Sequence, residues 1–198
     1  MIILSLVVLM GIIIGYFFNN FINFEISNLI QLGLYLLLFF IGIDIGNNKN
    51  IFNDLKKIDK KVLFLPFITI IASLLGGAVA SLILSLSLAE SVAVSSGLGW
   101  YSFSAIELSK VSVELGGIAF LSNIFRELLA IMFIPFVAKK IGAFESVAIA
   151  GATAMDSVLP IINKSNTSEI SIVAFYSGLV ISMVVPVLVP FIVTIFSL

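Results

Sequence analysis

The sequence predicts an all-α integral membrane protein, with about five transmembrane helices and two re-entrant hairpins arranged as an inverted repeat. Three observations support this prediction. The composition is that of a membrane protein, one interrupted apolar motif occurs twice, and lysines flank the second copy on both sides. The whole chain, residues 1–198, is expected to form a single transmembrane transport domain.

The composition separates this chain from soluble proteins. It is 61% apolar and 11% charged, whereas a soluble domain is about half apolar and about a quarter charged. The chain has no Cys and no His, which excludes disulfides, thiolate chemistry, imidazole relays and zinc sites built from these residues. We therefore expect no enzyme activity, no metal, no cofactor and no nucleic-acid partner; the expected partners are a small molecule and the bilayer.

Five apolar segments are long enough to cross a membrane, since 18 residues give about 27 Å of helix. They are residues 1–18, 29–46, 62–85, 117–138 and 170–197. The first lacks a basic segment and a small-residue cleavage site, so it is predicted to be a retained helix and not a signal peptide. Pro186 and Pro190 are expected to bend the last one.

The repeated motif lies between these spans. Residues 90–106 read ESVAVSSGLGWYSFSAI, and residues 145–161 read ESVAIAGATAMDSVLPI. At an offset of 55 the copies are identical at Glu90, Ser91, Val92, Ala93 and Ser102. Each copy begins as an apolar run and then changes to Gly, Ala, Ser and Thr. Apolar segments interrupted at corresponding places in two halves are typical of a transporter binding site.

The lysines predict how the copies lie in the membrane. Lys and Arg flank the cytoplasmic ends of spans, which places loop 47–61, Lys139-Lys140 and Lys164 on one side. A single crossing by 145–162 would separate Lys140 from Lys164, so this segment is predicted to enter and leave by one face.

The same reasoning makes 90–112 re-entrant from the opposite face. The repeat units are then 62–112 and 117–162, the N-terminus is cytoplasmic and the C-terminus lies outside. The alternative is that both copies are short spans and Lys139-Lys140 lies outside.

Three polar residues lie in the middle of span 117–138. A charge there costs about 2.5–3.5 kcal/mol on insertion scales, so it suggests a function. Glu127 is predicted to bind substrate and to carry the coupled proton. Arg126 is predicted to form a structural ion pair with an acid on a neighbouring helix. Asn123 shares a helix face with both and is a candidate substrate ligand.

The other candidate ligands lie in the two copies and near the end of segment 29–46. Asp156 either receives a substrate ammonium or caps a half-helix, and Trp100 is either a lid or an interfacial anchor. Ser102 and Ser157 are candidate polar liners. Asp44 is a reserve acid or an interfacial residue.

Three glycines are predicted to mark the turns of the hairpins. They are Gly97, Gly99 and Gly151. A side chain at any of them would intrude where the backbone approaches the substrate or the opposing hairpin.

Four motifs together resemble the bacterial lysine exporter family over about residues 30–190: FFIGIDIGNN, SSGLGWYSFSAIEL, NIFREL and GATAMDSVLPI. The resemblance implies efflux of L-lysine and its analogue thialysine across the inner membrane, coupled to inward proton movement. An acid in the N-x-x-R-E helix, here Glu127, is important in such proteins. Longer members carry extra N-terminal spans, so a homo-oligomer or a separate small membrane subunit is expected.

Two other classes of function remain open. A channel or structural subunit without coupled transport has the same composition. An intramembrane aspartyl protease would have to use Asp44 and Asp156, but the GxGD-like signature expected of that class is missing.

Overall fold

The computed structural model describes residues 62–198 and nine positions nearer the N-terminus. Those nine are all α-helical: Met10, Ile13, Ile14, Leu32, Gly33, Leu36, Phe39, Phe40 and Ile43. The chain divides into two units, Met1–Asn47 and Asn48–Leu198. The nine positions belong to the first unit and fall within the predicted helices 1–18 and 29–46. Asp44 and residues 47–61 lie outside the described residues.

The described part of the second unit is helical throughout, with no strand in residues 62–198. Its α-helices are α1 (Leu65–Ala80), α2 (Leu88–Ser95), α3 (Tyr101–Ser109), α4 (Val113–Lys140), α5 (Ala143–Ala148), α6 (Leu159–Ser165) and α7 (Ser168–Phe196). A 3₁₀ turn, Val62–Phe64, precedes α1, and a 3₁₀ segment, Gly151–Met155, separates α5 from α6.

Three stretches in residues 62–198 are helical, long and apolar enough to cross a membrane. They are Val62–Ala80, Val113–Lys140 and Glu169–Phe196. The prediction of an all-α membrane protein is thus confirmed. The other α-helices in this range have six to nine residues, or about 9–14 Å of helix, too short to cross alone.

Serine side chains begin two of the helices. The Ser87 backbone N–H donates to Glu90 Oε2 at 2.8 Å, and the Glu90 N–H donates to Ser87 Oγ at 3.2 Å. This reciprocal pair is a capping box for α2. The bond from the Ser87 backbone N–H lowers the pKa of the Glu90 carboxyl. At α4, Ser112 Oγ accepts from the Leu115 N–H at 3.0 Å.

The four short α-helices of residues 62–198 form two helix–turn–helix units, which attach to opposite ends of α4. The first hairpin, residues 88–109, comprises α2 and α3 and leads into the start of α4. The second hairpin, residues 143–165, comprises α5, the 3₁₀ segment and α6, and follows the end of α4. Asn166 Nδ2 donates to Ser146 Oγ at 3.1 Å and to Ile162 O at 3.1 Å. The second hairpin therefore ends beside the place where it begins.

The second hairpin packs between α4 and α7. The buried cluster joins the C-terminal half of α4, this hairpin and the N-terminal half of α7: Ala130, Ile134, Val147, Ala150, Ala154, Val158, Ile162, Ile170 and Ala174. Gly178 brings the α7 backbone directly onto the 3₁₀ segment, since a Cβ there would lie 2.5 Å from Met155 N. Helix α7 stays helical through Pro186 and Pro190.

Candidate functional site

The two hairpins touch at their turns, which we call the first tip (residues 96–100) and the second tip (residues 149–158). The Ala152 N–H donates to Leu98 O at 2.9 Å. Positive φ angles occur on both sides of this contact, at Leu98 (51°), Gly99 (97°) and Gly151 (66°). A positive φ is uncommon for a residue such as Leu. Both turns therefore adopt unusual backbone conformations where they meet.

Asn123 attaches the first tip to the middle of α4. Its Oδ1 accepts from the Gly99 N–H at 2.7 Å. Its Nδ2 donates to Ala119 O at 2.8 Å, Ser104 Oγ at 3.3 Å and Val94 O at 3.4 Å. The side chain is only 3% exposed. Because its donors and acceptor all have protein partners here, Asn123 serves as a structural anchor for the first tip.

Arg126, one turn further along α4, attaches the second tip. Its Nε donates to Ile149 O at 3.4 Å, and its Nη1 donates to Ser73 Oγ on α1 at 2.8 Å. The Ser73 hydroxyl in turn donates to Ser95 O at 3.1 Å. Arg126 thus contacts the end of α5 directly and the end of α2 through Ser73.

The acid partner predicted for Arg126 is not found in residues 62–198, where the one ion pair joins Lys110 to Glu107 at 2.6 Å. Asp44, the reserve acid of segment 29–46, lies outside the described residues. Within the described range, the hydrogen-bond acceptors of Arg126 are a hydroxyl and a carbonyl where the sequence predicted a carboxylate. The ion pair stays a prediction.

Both anchors lie in the middle third of α4. Arg126 is 13 residues after Val113 and 14 before Lys140, or about 20 Å from either end of the helix. A bilayer core is about 30 Å thick. The tips therefore lie far from both ends of the long helix that carries their anchors.

A cavity of about 1010 Å³ lies beside Arg126, between α1, α2, α4 and α5. Its polar lining is Thr69, Ser73, Ser91, Ser95, Ser122, Asn123 and Arg126, and the remaining walls are largely apolar, with Phe125, Phe133 and Phe136 among them. Arg126 is the one charged residue among those lining it. Because this charge is positive, the cavity as described does not suit a ligand with two ammonium groups.

Glu127 faces a different side of α4 from Arg126, because consecutive helical residues point about 100° apart. It is half-buried and does not line the cavity. Phe120, two turns earlier on the same stripe, packs edge-on against Tyr101 of α3 at 5.7 Å between ring centroids. Ile131, one turn later, packs on the buried cluster that joins α4, the second hairpin and α7. Glu127 therefore lies on a stripe of α4 between a residue that contacts α3 and a residue that contacts this cluster.

Asp156 and Ser157 are exposed at the end of the second tip. The Asp156 carboxylate accepts from the Ser157 N–H at 2.5 Å and from its hydroxyl at 3.3 Å. Helix α6 begins at Leu159 without a side-chain cap, so the Asp156 carboxylate binds its neighbour, and it is the Asp156 backbone carbonyl that accepts from the Leu159 N–H, at 3.2 Å. Within residues 62–198, no hydrogen bond joins Glu127 to Asp156.

Trp100 and Ser102 lie at the start of α3. Trp100 is the N-cap residue, offers no side-chain cap and is half-buried against Phe103, at 5.4 Å between ring centroids. Ser102 is exposed. Together with Asp156 and Ser157, these residues lie at the N-terminal ends of the second arms of the hairpins.

The three predicted turn glycines all lie in the tips. A Cβ on Gly97 would lie 2.7 Å from Asn123 Nδ2, and one on Gly151 would overlap Leu98 O. A Cβ on Gly99 would make only an ordinary contact, 3.4 Å from Ala150 O. Gly97 and Gly151 thus mark close approaches within the protein. Their role towards substrate stays a prediction.

Sequence reasoning missed four residues that connect the tips: Ser73, Ser95, Leu98 and Ala152. Leu98 and Ala152 act through their backbones, so no side-chain pattern reveals them. Ser73 had a detectable signal, because Thr69, Ser73 and Gly77 recur every fourth residue in an apolar span. Small residues at that spacing are typical of a face that packs closely on another helix.

Comparisons with known proteins show the family to which the chain belongs. The family described as "Lysine exporter LysO" matches residues 5–193. A "Putative lysine exporter" of Haemophilus influenzae is 32% identical over 185 residues, 93% of each chain. The "Lysine exporter LysO" of Escherichia coli is 32% identical over 159 residues, 80% of this chain and 52% of that protein. No solved structure matches the chain. Because the family match covers nearly the whole chain and the Haemophilus influenzae protein matches it over 93% of its length, the chain belongs to the lysine exporter family.

Proposed function

We propose that this protein exports L-lysine, and analogues such as thialysine, across the bacterial inner membrane as a proton-coupled antiporter. The observation that carries the proposal is the contact between two interrupted helical hairpins at the middle of α4, through Leu98 O and the Ala152 N–H. Interrupted helices that meet near the midplane form the binding sites of many secondary transporters. The names of the relatives supply the substrate.

Both hairpins are proposed to be re-entrant, in repeat units 62–112 and 117–162. The hydrogen bond from Asn166 to Ser146 supports this for the second hairpin, because it joins the base of the exit to the base of the start. Lys140 ends α4 and Lys164 lies in the last turn of α6, so one face of the membrane accommodates both. Arms of six to nine residues also disfavour the alternative of ordinary short spans.

The orientation proposed is an N-terminus in the cytoplasm and a C-terminus outside, with about five crossings. The two crossings added to those of α1, α4 and α7 are residues 1–18 and 29–46. We propose that the working transporter is a homo-oligomer or includes a separate small membrane subunit.

The lysine site is proposed to lie between α3, α4 and the second hairpin, and not in the Arg126 cavity. Glu127 and Asp156 supply carboxylates for the two ammonium groups. The N-terminal end of α3 carries partial positive charge and lacks a side-chain cap, so it suits the substrate carboxylate, whereas the backbone N–H groups at the start of α6 already have acceptors within the protein. Trp100, Ser102 and Ser157 lie at those ends and are proposed to line the site.

Asn123 is proposed to affect lysine binding indirectly, by holding the first tip in place, because its described hydrogen bonds leave it no free donor. Asp44 is proposed as a reserve acid near the cytoplasmic end of its helix.

Glu127 is proposed to couple lysine to the proton. A lysine ammonium arriving from the cytoplasm favours the ionised carboxylate, so Glu127 releases its proton to that side. After lysine leaves outside, Glu127 takes up a proton there, and the empty carrier returns without an unpaired charge in the membrane. The cycle then exchanges substrate moving outward for protons moving inward through this residue.

Counterflow of labelled lysine in proteoliposomes tests the proposal, with and without a pH gradient. We expect accumulation of lysine against its gradient when the proton gradient is imposed, and little accumulation with Glu127→Gln. Unlabelled ornithine and arginine as competitors measure selectivity. A lysine flux that only follows the lysine gradient, whatever the pH gradient, would instead indicate a channel.

A further inference from the structure

The first arms of the two hairpins both end near Arg126. Helix α2 ends at Ser95, and α5 ends at Ala148 with Ile149 as its C-cap. In the 55-residue repeat, Ile149 corresponds to Val94, the neighbour of Ser95. The carbonyl end of a helix carries a partial negative charge and unpaired acceptors. One such end therefore lies beside Ser73 of α1 and the other beside Arg126 of α4.

One guanidinium group connects the two carbonyl ends. Arg126 Nε donates to Ile149 O at 3.4 Å, and Arg126 Nη1 reaches Ser95 O through the Ser73 hydroxyl, by bonds of 2.8 and 3.1 Å. A guanidinium has several donors in a rigid plane, so it holds two separate acceptors at a set distance. Asn123, by contrast, binds the first hairpin only.

We propose that Arg126 is a positioning residue, which holds the two tips against each other by placing one cation at the carbonyl ends of both first arms. It acts through Ile149 and Ser95 on the tip contact, and it does not touch lysine. Arg126 would thus align the two hairpins on which the proposed transport cycle depends. It concerns the empty protein and stands apart from the identity of the substrate.

Hydrogen exchange of the purified empty protein, read by mass spectrometry, tests the connection. Arg126→Lys keeps the positive charge but not the planar guanidinium group with its several donors. We expect amides in both tips of this variant to exchange about tenfold faster, because that is the effect of losing one hydrogen bond to a charged group. With Ser73→Ala, only the first tip should exchange faster. Lys139→Met removes an exposed cation near the end of α4 and serves as the matched control, with both tips unchanged.

Chemical rescue separates positioning from a general loss of structure. Arg126 lines a cavity of about 1010 Å³, so a small cation has room at the position left by Arg126→Ala. Guanidinium added at millimolar concentration should restore slow exchange in both tips, whereas methylammonium, a point charge of similar size, should not.

Three outcomes would overturn the inference: unchanged exchange in both tips of Arg126→Lys, faster exchange in the second tip alone, or equal rescue by the two cations. If Arg126→Ala does not fold, the comparison of Arg126→Lys with Ser73→Ala decides. These measurements need no substrate, so a protein that fails to move lysine refutes the proposed function and leaves this inference standing.

Discussion

Gly151 is the position where one added methyl group should separate the two tips. Its φ of 66° costs a residue with a Cβ about 1–2 kcal/mol. The Cβ would also overlap Leu98 O, which accepts the bond from Ala152, and would lie 3.2 Å from Arg126 Nη2. Relieving such an overlap costs about 1–3 kcal/mol, and the lost bond about 1 kcal/mol. Gly151→Ala should therefore lower the free energy of unfolding by about 3–6 kcal/mol.

Two other glycines provide matched controls. Gly99→Ala meets the same kind of backbone conformation, with φ 97°, but its Cβ finds its nearest atom at 3.4 Å, so the cost should be about 1–2 kcal/mol. Gly117→Ala lies inside α4 with no atom within 4 Å and should be neutral or stabilise by up to about 1 kcal/mol.

The assay is unfolding by sodium dodecyl sulfate in mixed micelles, followed by circular dichroism, with lysine export measured on the same variants. We expect Gly151→Ala to be the least stable of the three and to lose most of its export. If Gly151→Ala and Gly99→Ala agree within about 0.5 kcal/mol, which is the usual additivity error, then the close contact at Leu98 is wrong and the reasoning fails with it.

Three further predictions follow from the same contacts. Glu127→Gln should fold, lose export and lose the pH dependence of lysine affinity. Asp156→Asn should bind lysine more weakly but keep the pH dependence of that affinity. A wild-type pH profile in Glu127→Gln would assign the coupling to another acid. Cysteines introduced singly at Gly142 and Ser165 should react with an impermeant maleimide from the same side of the membrane, and labelling from opposite sides would make the second hairpin an ordinary span. Ser87→Ala should cost about 1 kcal/mol through loss of the α2 cap. Because hydrogen bonding lowers the pKa of Glu90 below 4.5, the stabilisation from its ionised form should persist above pH 4.5 and disappear as the pH falls further, so unfolding measured against pH checks the sign.

The sequence by itself determined the membrane class and the positions of the long helices. The predicted span 117–138 lies within the helix Val113–Lys140, and the predicted span 170–197 agrees with the helix Glu169–Phe196 to within one residue at each end, because hydropathy is a local property and a bilayer demands a long apolar run. Span 62–85 ends early, at Ala80. The chain stays apolar through the turn that follows, so composition alone gave no sign of where the helix stopped.

The tertiary structure decided which groups meet at the site. Arg126 and Ser73 are 53 residues apart, and the contact between Leu98 and Ala152 joins two backbones of different hairpins. The sequence predicted a carboxylate partner for Arg126, because charge pairing is the common way to hold a buried cation. Within residues 62–198 its partners are instead a hydroxyl and a helix end, which side-chain chemistry does not reveal. Glu127 does not line the Arg126 cavity, because consecutive residues of a helix point in different directions. Which neighbour each residue then contacts is decided only when the other helices pack around α4.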